Sequence, residues 1–91
     1  MWQLVWTEAF TRRRRKLLRR NHELHDTLAA VLALLAEDPR HPHLKLHALH
    51  GDLEGLWAVR VTTSVRLVLV LKEPELETTL LALGSHDEAY R

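Results

Sequence analysis

The sequence predicts an α+β fold of order β-α-α-β-β-β, with a two-helix hairpin packed on one face of a four-stranded, mainly antiparallel sheet. Three observations predict it. Helical spacing dominates the first half, where Leu24, Leu28, Val31, Leu32 and Leu35 recur along one face. Alternation of period two takes over beyond Gly55, and the connections there are too short for anything but antiparallel hairpins. Two helices with a shared apolar side need a sheet to cover, so both halves belong to one domain, residues 1–91.

The elements follow in order. Trp2 to Trp6 is rich in strand formers and reads as a short first strand. Thr7 is an N-cap ahead of Glu8, whose charge suits a helix N-terminus, and the first helix runs from Glu8 to Arg20. Its apolar residues Ala9, Phe10, Leu17 and Leu18 leave a narrow buried stripe, with the stem of Arg13 or Arg14 covering the gap. Asn21 ends it. The second helix spans residues 23–37, favoured by Ala29, Ala30, Ala33 and Ala36 and closed by Asp38-Pro39. Residues 39–52 form an irregular stretch holding His41, His43, His47 and His50. Three strands follow at residues 56–61, 65–71 and 76–83, separated by Thr62-Thr63-Ser64 and Glu73-Pro74-Glu75.

Composition narrows the class. The hydrophobic fraction of 46% suffices for a core, and no cysteine is present to supply disulfides or thiolate ligands. No apolar run reaches the roughly 18 residues of a spanning helix, and no secretory signal pattern opens the chain, so a soluble cytoplasmic protein is expected. The net charge of +1 hides a polarised distribution. Arg12, Arg13, Arg14, Arg15, Lys16, Arg19 and Arg20 crowd the first helix, while Glu73, Glu75, Glu77, Asp87 and Glu88 lie in the last quarter. Such a basic stretch is either an electrostatic footprint for phosphate or a solvated helix face.

A three-residue loop at 62–64 would set Arg60 directly opposite Arg66 on the sheet face away from the helices. Like charges paired across strands are destabilising. They point either to an anion between them or to separate acidic neighbours for each. Gly84 permits a sharp change of direction after the last strand, and His86 and Tyr90 share one side of a helical turn. Alone they could be surface decoration. With two arginines they form a set suited to phosphodiester chemistry: a proton-transfer group, a phenol, and cations for developing charge. The histidine-rich stretch lacks the spacing of a metal site, since His41-x-His43 is too close for a helical pair and neither HExxH nor cysteine occurs. It reads as a polar loop contributing to the open sheet face, and no metal or other cofactor is expected.

These residues resemble a known family. The runs Leu49-His50-Gly51-Asp52-Leu53-Glu54-Gly55-Leu56-Trp57-Ala58-Val59-Arg60-Val61, Val65-Arg66-Leu67-Val68-Leu69-Val70 and Leu83-Gly84-Ser85-His86-Asp87-Glu88-Ala89-Tyr90 are similar to the RelE/ParE toxin superfamily, and most to its YafQ-like messenger-RNA interferases. The resemblance implies a toxin of a type II toxin-antitoxin pair, held inactive in a hetero-oligomer by a cognate antitoxin protein. It further implies ribosome-dependent cutting of mRNA, by metal-independent attack of the ribose 2′-OH on the adjacent phosphate. His86 matches the general acid or base of the final motif and Tyr90 its closing aromatic; His47 matches a loop histidine that is a second acid/base candidate. Arg66 matches a strand arginine of RelE-like members, and Arg60 stands where YafQ-like enzymes carry a second histidine, with Ser64 at an acidic position. The basic first helix and His50 would bind RNA, with an acidic antitoxin segment as the helix's alternative partner. Two alternatives share the fold: a gyrase-inhibiting toxin of the ParE type, and a non-toxic member that only binds an antitoxin.

Overall fold

Helix formation begins where the sequence places its first cap. In the computed structural model, which describes residues 1–90, strand β1 (Gln3–Trp6) runs into Thr7, whose hydroxyl accepts a 3.1 Å hydrogen bond from the Phe10 amide and opens helix α1 (Glu8–Arg20). The same hydroxyl donates to the Leu80 carbonyl at 2.7 Å, which pins the helix start to the sheet. Asn21 is the C-cap, as its position after the last periodic residue predicts. Helix α2 (Leu24–Glu37) buries Leu28, Val31 and Leu35 and ends at Asp38. Arg91 lies outside the described residues.

Beyond α2 come a 3-10 turn (Pro42–Leu44), strand β2 (His47–Ala48), a second 3-10 turn (Gly51–Leu53), strands β3 (Trp57–Arg60), β4 (Val65–Lys72) and β5 (Glu77–Ser85), and a single helical turn, α3 (His86–Ala89). The sheet has five strands in the order β1-β5-β4-β3-β2, not four. The extra strand, β2, pairs antiparallel with β3 through His47↔Ala58 and Ala48↔Trp57. Two exposed residues have no period to betray them, so the histidine-rich stretch reads as loop from sequence. The helical crossover sets β1 parallel to β5, and the remaining pairs are antiparallel.

The register between β3 and β4 places Arg60 opposite Arg66, as the three-residue loop predicts. Thr62 fastens that loop by accepting from the Val65 amide at 3.1 Å. Between β4 and β5 the register shifts at Val68/Leu69: Val68 faces Ala82 and Leu69 faces Leu80, leaving Leu81 as the extra residue of a bulge. Without it, Leu80 and Leu83 would fall on opposite faces of a two-residue repeat. With it, both point at the helices.

That side holds the main core, where Phe10, Leu28, Leu35, Val59, Leu67, Leu69, Leu80 and Leu83 are all at most 2% exposed. Each such side chain contributes about 1.5–3 kcal/mol on burial. The other face is not bare. Leu49, Ala58, Val68 and Ala89 form a second apolar cluster, with Leu53, Leu56, Ala82 and Tyr90 packed against it. This small cluster seats α3 and the 49–56 loop on the sheet face opposite the helices.

Candidate functional site

Strand register builds the site in two rows. Arg60, Arg66 and Gly84 lie side by side across β3, β4 and β5. The neighbouring row on the same face is His47, Ala58, Val68 and Ala82. Small residues at 58 and 82 leave room above the sheet, and Tyr90 occupies it.

α3 brings the remaining groups over these rows. Ser85 and Glu88 form a reciprocal capping box: the Glu88 amide donates to Ser85 Oγ at 3.3 Å, and the Ser85 amide donates to Glu88 Oε1 at 3.2 Å. The hydrogen bond from the Ser85 amide, supported by the Ser85 hydroxyl and by the charges of Lys16 and Arg13, holds the Glu88 carboxyl below its ordinary value of 4.5. Gly84 makes the close return possible, because a Cβ there would lie 3.0 Å from Glu88 Cβ. One turn then stacks His86 edge-on against Tyr90, with ring centroids 4.3 Å apart.

Tyr90 also meets His47, its Oη lying 3.4 Å from His47 Nε2. The other imidazole nitrogen, Nδ1, is 3.0 Å from the Lys45 carbonyl. A carbonyl only accepts, so Nδ1 carries the hydrogen, and in the neutral form of the ring Nε2 is left to accept from the phenol. Lys45 adopts a left-handed conformation, φ 51°, that turns its carbonyl toward the ring. His47, Tyr90 and His86 thus form one continuous contact. His86 stays open to solvent, its side chain 71% exposed, with Asp87 Oδ1 3.8 Å from its Nδ1.

The two arginines do not receive acidic neighbours. Arg66 Nη1 donates to the carbonyls of Thr62 at 2.7 Å and Thr63 at 3.2 Å, and Arg60 Nη2 donates to Thr63 Oγ1 at 3.1 Å. Among the described residues no carboxylate lies within ion-pair distance of either guanidinium. Neutral loop oxygens orient both cations and leave their charge uncompensated.

The basic helix divides by face. Arg13, Lys16 and Arg20 line a cleft of about 340 Å³ against Leu83, Gly84 and Glu88, and Arg13 Nη1 donates to the Glu88 carbonyl at 2.7 Å. Arg12, Arg15 and Arg19 continue the cationic surface outward. Arg14 turns the other way, its guanidinium 5.2 Å from the Trp6 ring centroid and its Nε buried. It is therefore the stem of Arg14 that packs inward. His50 is exposed at the head of the Gly51–Leu53 turn, beside the loop residues that cover the open face. His41 and His43 contact each other, ring centroids 4.9 Å apart, outside this group. Among the described residues no three His, Asp or Glu side chains converge as a metal-binding cluster.

The site also uses groups that sequence reading passes over. The Lys45 carbonyl and the Thr62–Thr63 oxygens leave no trace in side-chain identity. The capping box does, since Ser85-x-x-Glu88 is its signature.

The same architecture occurs in known proteins. Residues 2–91 match the family model described as the bacterial toxin of type II toxin-antitoxin system, YafQ. Among solved structures, a metal-bound toxin from Helicobacter pylori is similar at 29% identity and TM-score 0.79, covering 97% of this chain and 98% of that one. YafQ from E. coli shares the fold at 18% identity and TM-score 0.77, covering 96% of each chain. The YoeB-YefM complex from Staphylococcus aureus does so at 13% identity and TM-score 0.73, covering 94% of this chain and 98% of that one. No curated protein matches by sequence.

Proposed function

The chain belongs to the YafQ family of bacterial toxins of type II toxin-antitoxin systems, and from that premise we propose that it is a ribosome-dependent endoribonuclease that cuts mRNA without a metal. The observation that carries this reading is the convergence of His86, Tyr90 and His47 on the sheet face where Arg60 and Arg66 stand without carboxylates.

In the proposed reaction the 2′-OH of one nucleotide attacks the adjacent phosphorus. The new P–O2′ bond forms as the P–O5′ bond breaks, leaving a 2′,3′-cyclic phosphate and a 5′-hydroxyl. Two proton transfers balance it: one group takes the 2′-OH proton and another protonates the departing O5′. Imidazole does either near neutral pH, so His86, exposed at the head of α3, serves one transfer and His47 the other. Tyr90 lies between them and orients both rings while offering a nucleotide base a face to stack on. Arg60 and Arg66 stabilise the charge that builds on the phosphorane oxygens, which uncompensated and pre-oriented cations do without reorganisation. Arg60 thus supplies charge where relatives of the YafQ type carry a histidine. The outer residues of α1 and His50 guide RNA onto this face.

Such a protein works in the cytoplasm, on ribosomes, and its uncompensated cations suit an antitoxin segment rich in acids that covers the open face. The test is tightly controlled expression followed by primer extension on cellular mRNA. Growth arrest with codon-aligned cuts, and cleavage by His86→Ala reduced at least about 100-fold, support the reading. DNA damage without such cuts would identify a gyrase inhibitor, and normal growth alongside tight antitoxin binding a non-toxic member. Metal independence is checked on programmed ribosomes with a chelator that removes transition metals but spares magnesium. An undiminished cleavage rate is expected.

A further inference from the structure

α3 is a helix of only four residues and carries His86, a proposed proton-transfer group whose side chain is 71% exposed. Four residues cannot hold themselves as a helix in water, because nucleation costs more than one or two hydrogen bonds return. Contacts beyond its own backbone must keep His86 and Tyr90 in place. Besides the Tyr90–His47 contact, three ties do so. Ala89 is 4% exposed and fits among Leu49, Ala58 and Val68. The Ser85–Glu88 box closes the turn from within. Arg13, on another element 75 residues away in sequence, donates to the Glu88 carbonyl.

The last tie answers a definite need. The final carbonyls of any helix lack an intrahelical partner, and α3 ends at Ala89, so the Glu88 oxygen has no following helical amide to accept from. A guanidinium satisfies that oxygen and places positive charge at the negative end of the turn. Apolar seating at Ala89 fixes how deeply α3 lies but not its rotation about that contact. A directional hydrogen bond at Glu88, together with Tyr90's contact with His47, constrains that rotation.

We propose that Arg13 is a positioning residue of the active site, clamping α3 to α1 through the Glu88 carbonyl so that His86 and Tyr90 are held over the Arg60–Arg66 row. The role of His86 and Tyr90 in catalysis rests on the function proposed above; the clamp itself does not. Arg13 therefore differs from its neighbours Lys16 and Arg20, which line the same cleft without donating to α3.

The experiment combines backbone NMR relaxation of the free protein with ribosome-dependent cleavage kinetics for Arg13→Met, Arg13→Lys and Lys16→Met. In the wild type, residues 85–90 are expected to show the order parameters of rigid backbone, about 0.85. Arg13→Met is expected to drop them below about 0.6. Arg13→Lys, which keeps a donor, restores most of the order, and Lys16→Met, which removes only a nearby charge, lowers it far less than Arg13→Met does. In cleavage, Arg13→Met lowers kcat about tenfold or more with little change in KM, because misplacing a reacting group by even about 1 Å is costly. Unchanged order in Arg13→Met, or an effect on KM alone, overturns the clamp and assigns Arg13 to RNA binding. A loosened turn in a protein whose wild type cuts no RNA upholds the clamp and overturns the nuclease reading instead.

Discussion

Single residues here show how differently a polar group behaves when its surroundings are wet or dry. Thr78, on β5, is fully buried beneath the helices, and its hydroxyl finds no partner among the described residues. An unsatisfied buried hydroxyl costs about 1–3 kcal/mol, so Thr78→Val, which keeps the shape, should raise stability by about 1 kcal/mol in urea unfolding. Glu88 is the opposite case, fully exposed yet shifted. Its folded-state carboxyl lies below 4.5 because the Ser85 amide and hydroxyl bind the charged form. The stabilisation it lends to α3 is therefore present in full above about 4.5 and is lost as the pH falls through the lower folded value. Order in residues 85–90, followed by NMR, should melt in that acid range for the wild type. In Glu88→Gln the transition should disappear.

At the scale of elements, the basic helix does two jobs on two faces. Arg14 packs over Trp6, so Arg14→Ala, which removes the cation–π interaction and the stem packing together, should cost about 1 kcal/mol in thermal or urea unfolding. Arg12, Arg15 and Arg19 touch no acidic partner among the described residues and face outward. Replacing all three should leave unfolding unchanged and flatten the salt dependence of RNA affinity by about 0.7 for each phosphate no longer neutralised, measured by titration at several salt concentrations. The junction of β5 and α3 tolerates less. In Gly84→Ala the new methyl meets Glu88 Cβ at 3.0 Å, and overpacking of this kind costs about 1–3 kcal/mol, so α3 should lift from the sheet and take His86 and Tyr90 with it. Separation of the His86 and Tyr90 rings in NMR would report it.

For the whole molecule, the division of labour lies between the two faces of one sheet. The space between helices and sheet is apolar and stabilising; the other side carries His47, Arg60, Arg66, His86 and Tyr90, around a small apolar cluster that includes Ala58, Ala82 and Ala89. That arrangement suits the proposed function, in which one surface accepts either RNA or an antitoxin. An antitoxin that covers this face should slow amide exchange in residues 85–90 and in β2 far more than in α2, read by hydrogen-exchange mass spectrometry. Protection centred on α2 would instead place the antitoxin on the helical face.

Much of this was legible in the sequence because it depends on local spacing. Thr7 and Asn21 bound α1 as their side-chain chemistry predicts, the leucines of α2 face one way, and a three-residue loop leaves only one register, which sets Arg60 against Arg66. The likeness of the final motif to YafQ toxins likewise needs only residue identities. Other features depend on contacts between segments far apart in the chain, and no local pattern encodes those. β2 forms because β3 offers two residues to pair with. The bulge at Leu81 exists to turn both Leu80 and Leu83 toward the helices. Orientation of His47 comes from a backbone carbonyl, and the hold on α3 from an arginine most of the chain away. The sequence by itself therefore determined the two long helices, four of the five strands, their order and the candidate side chains. Only the tertiary structure decided how those side chains meet, since a backbone oxygen accepts a hydrogen bond whatever residue carries it, and packing alone determines which oxygen a side chain can reach.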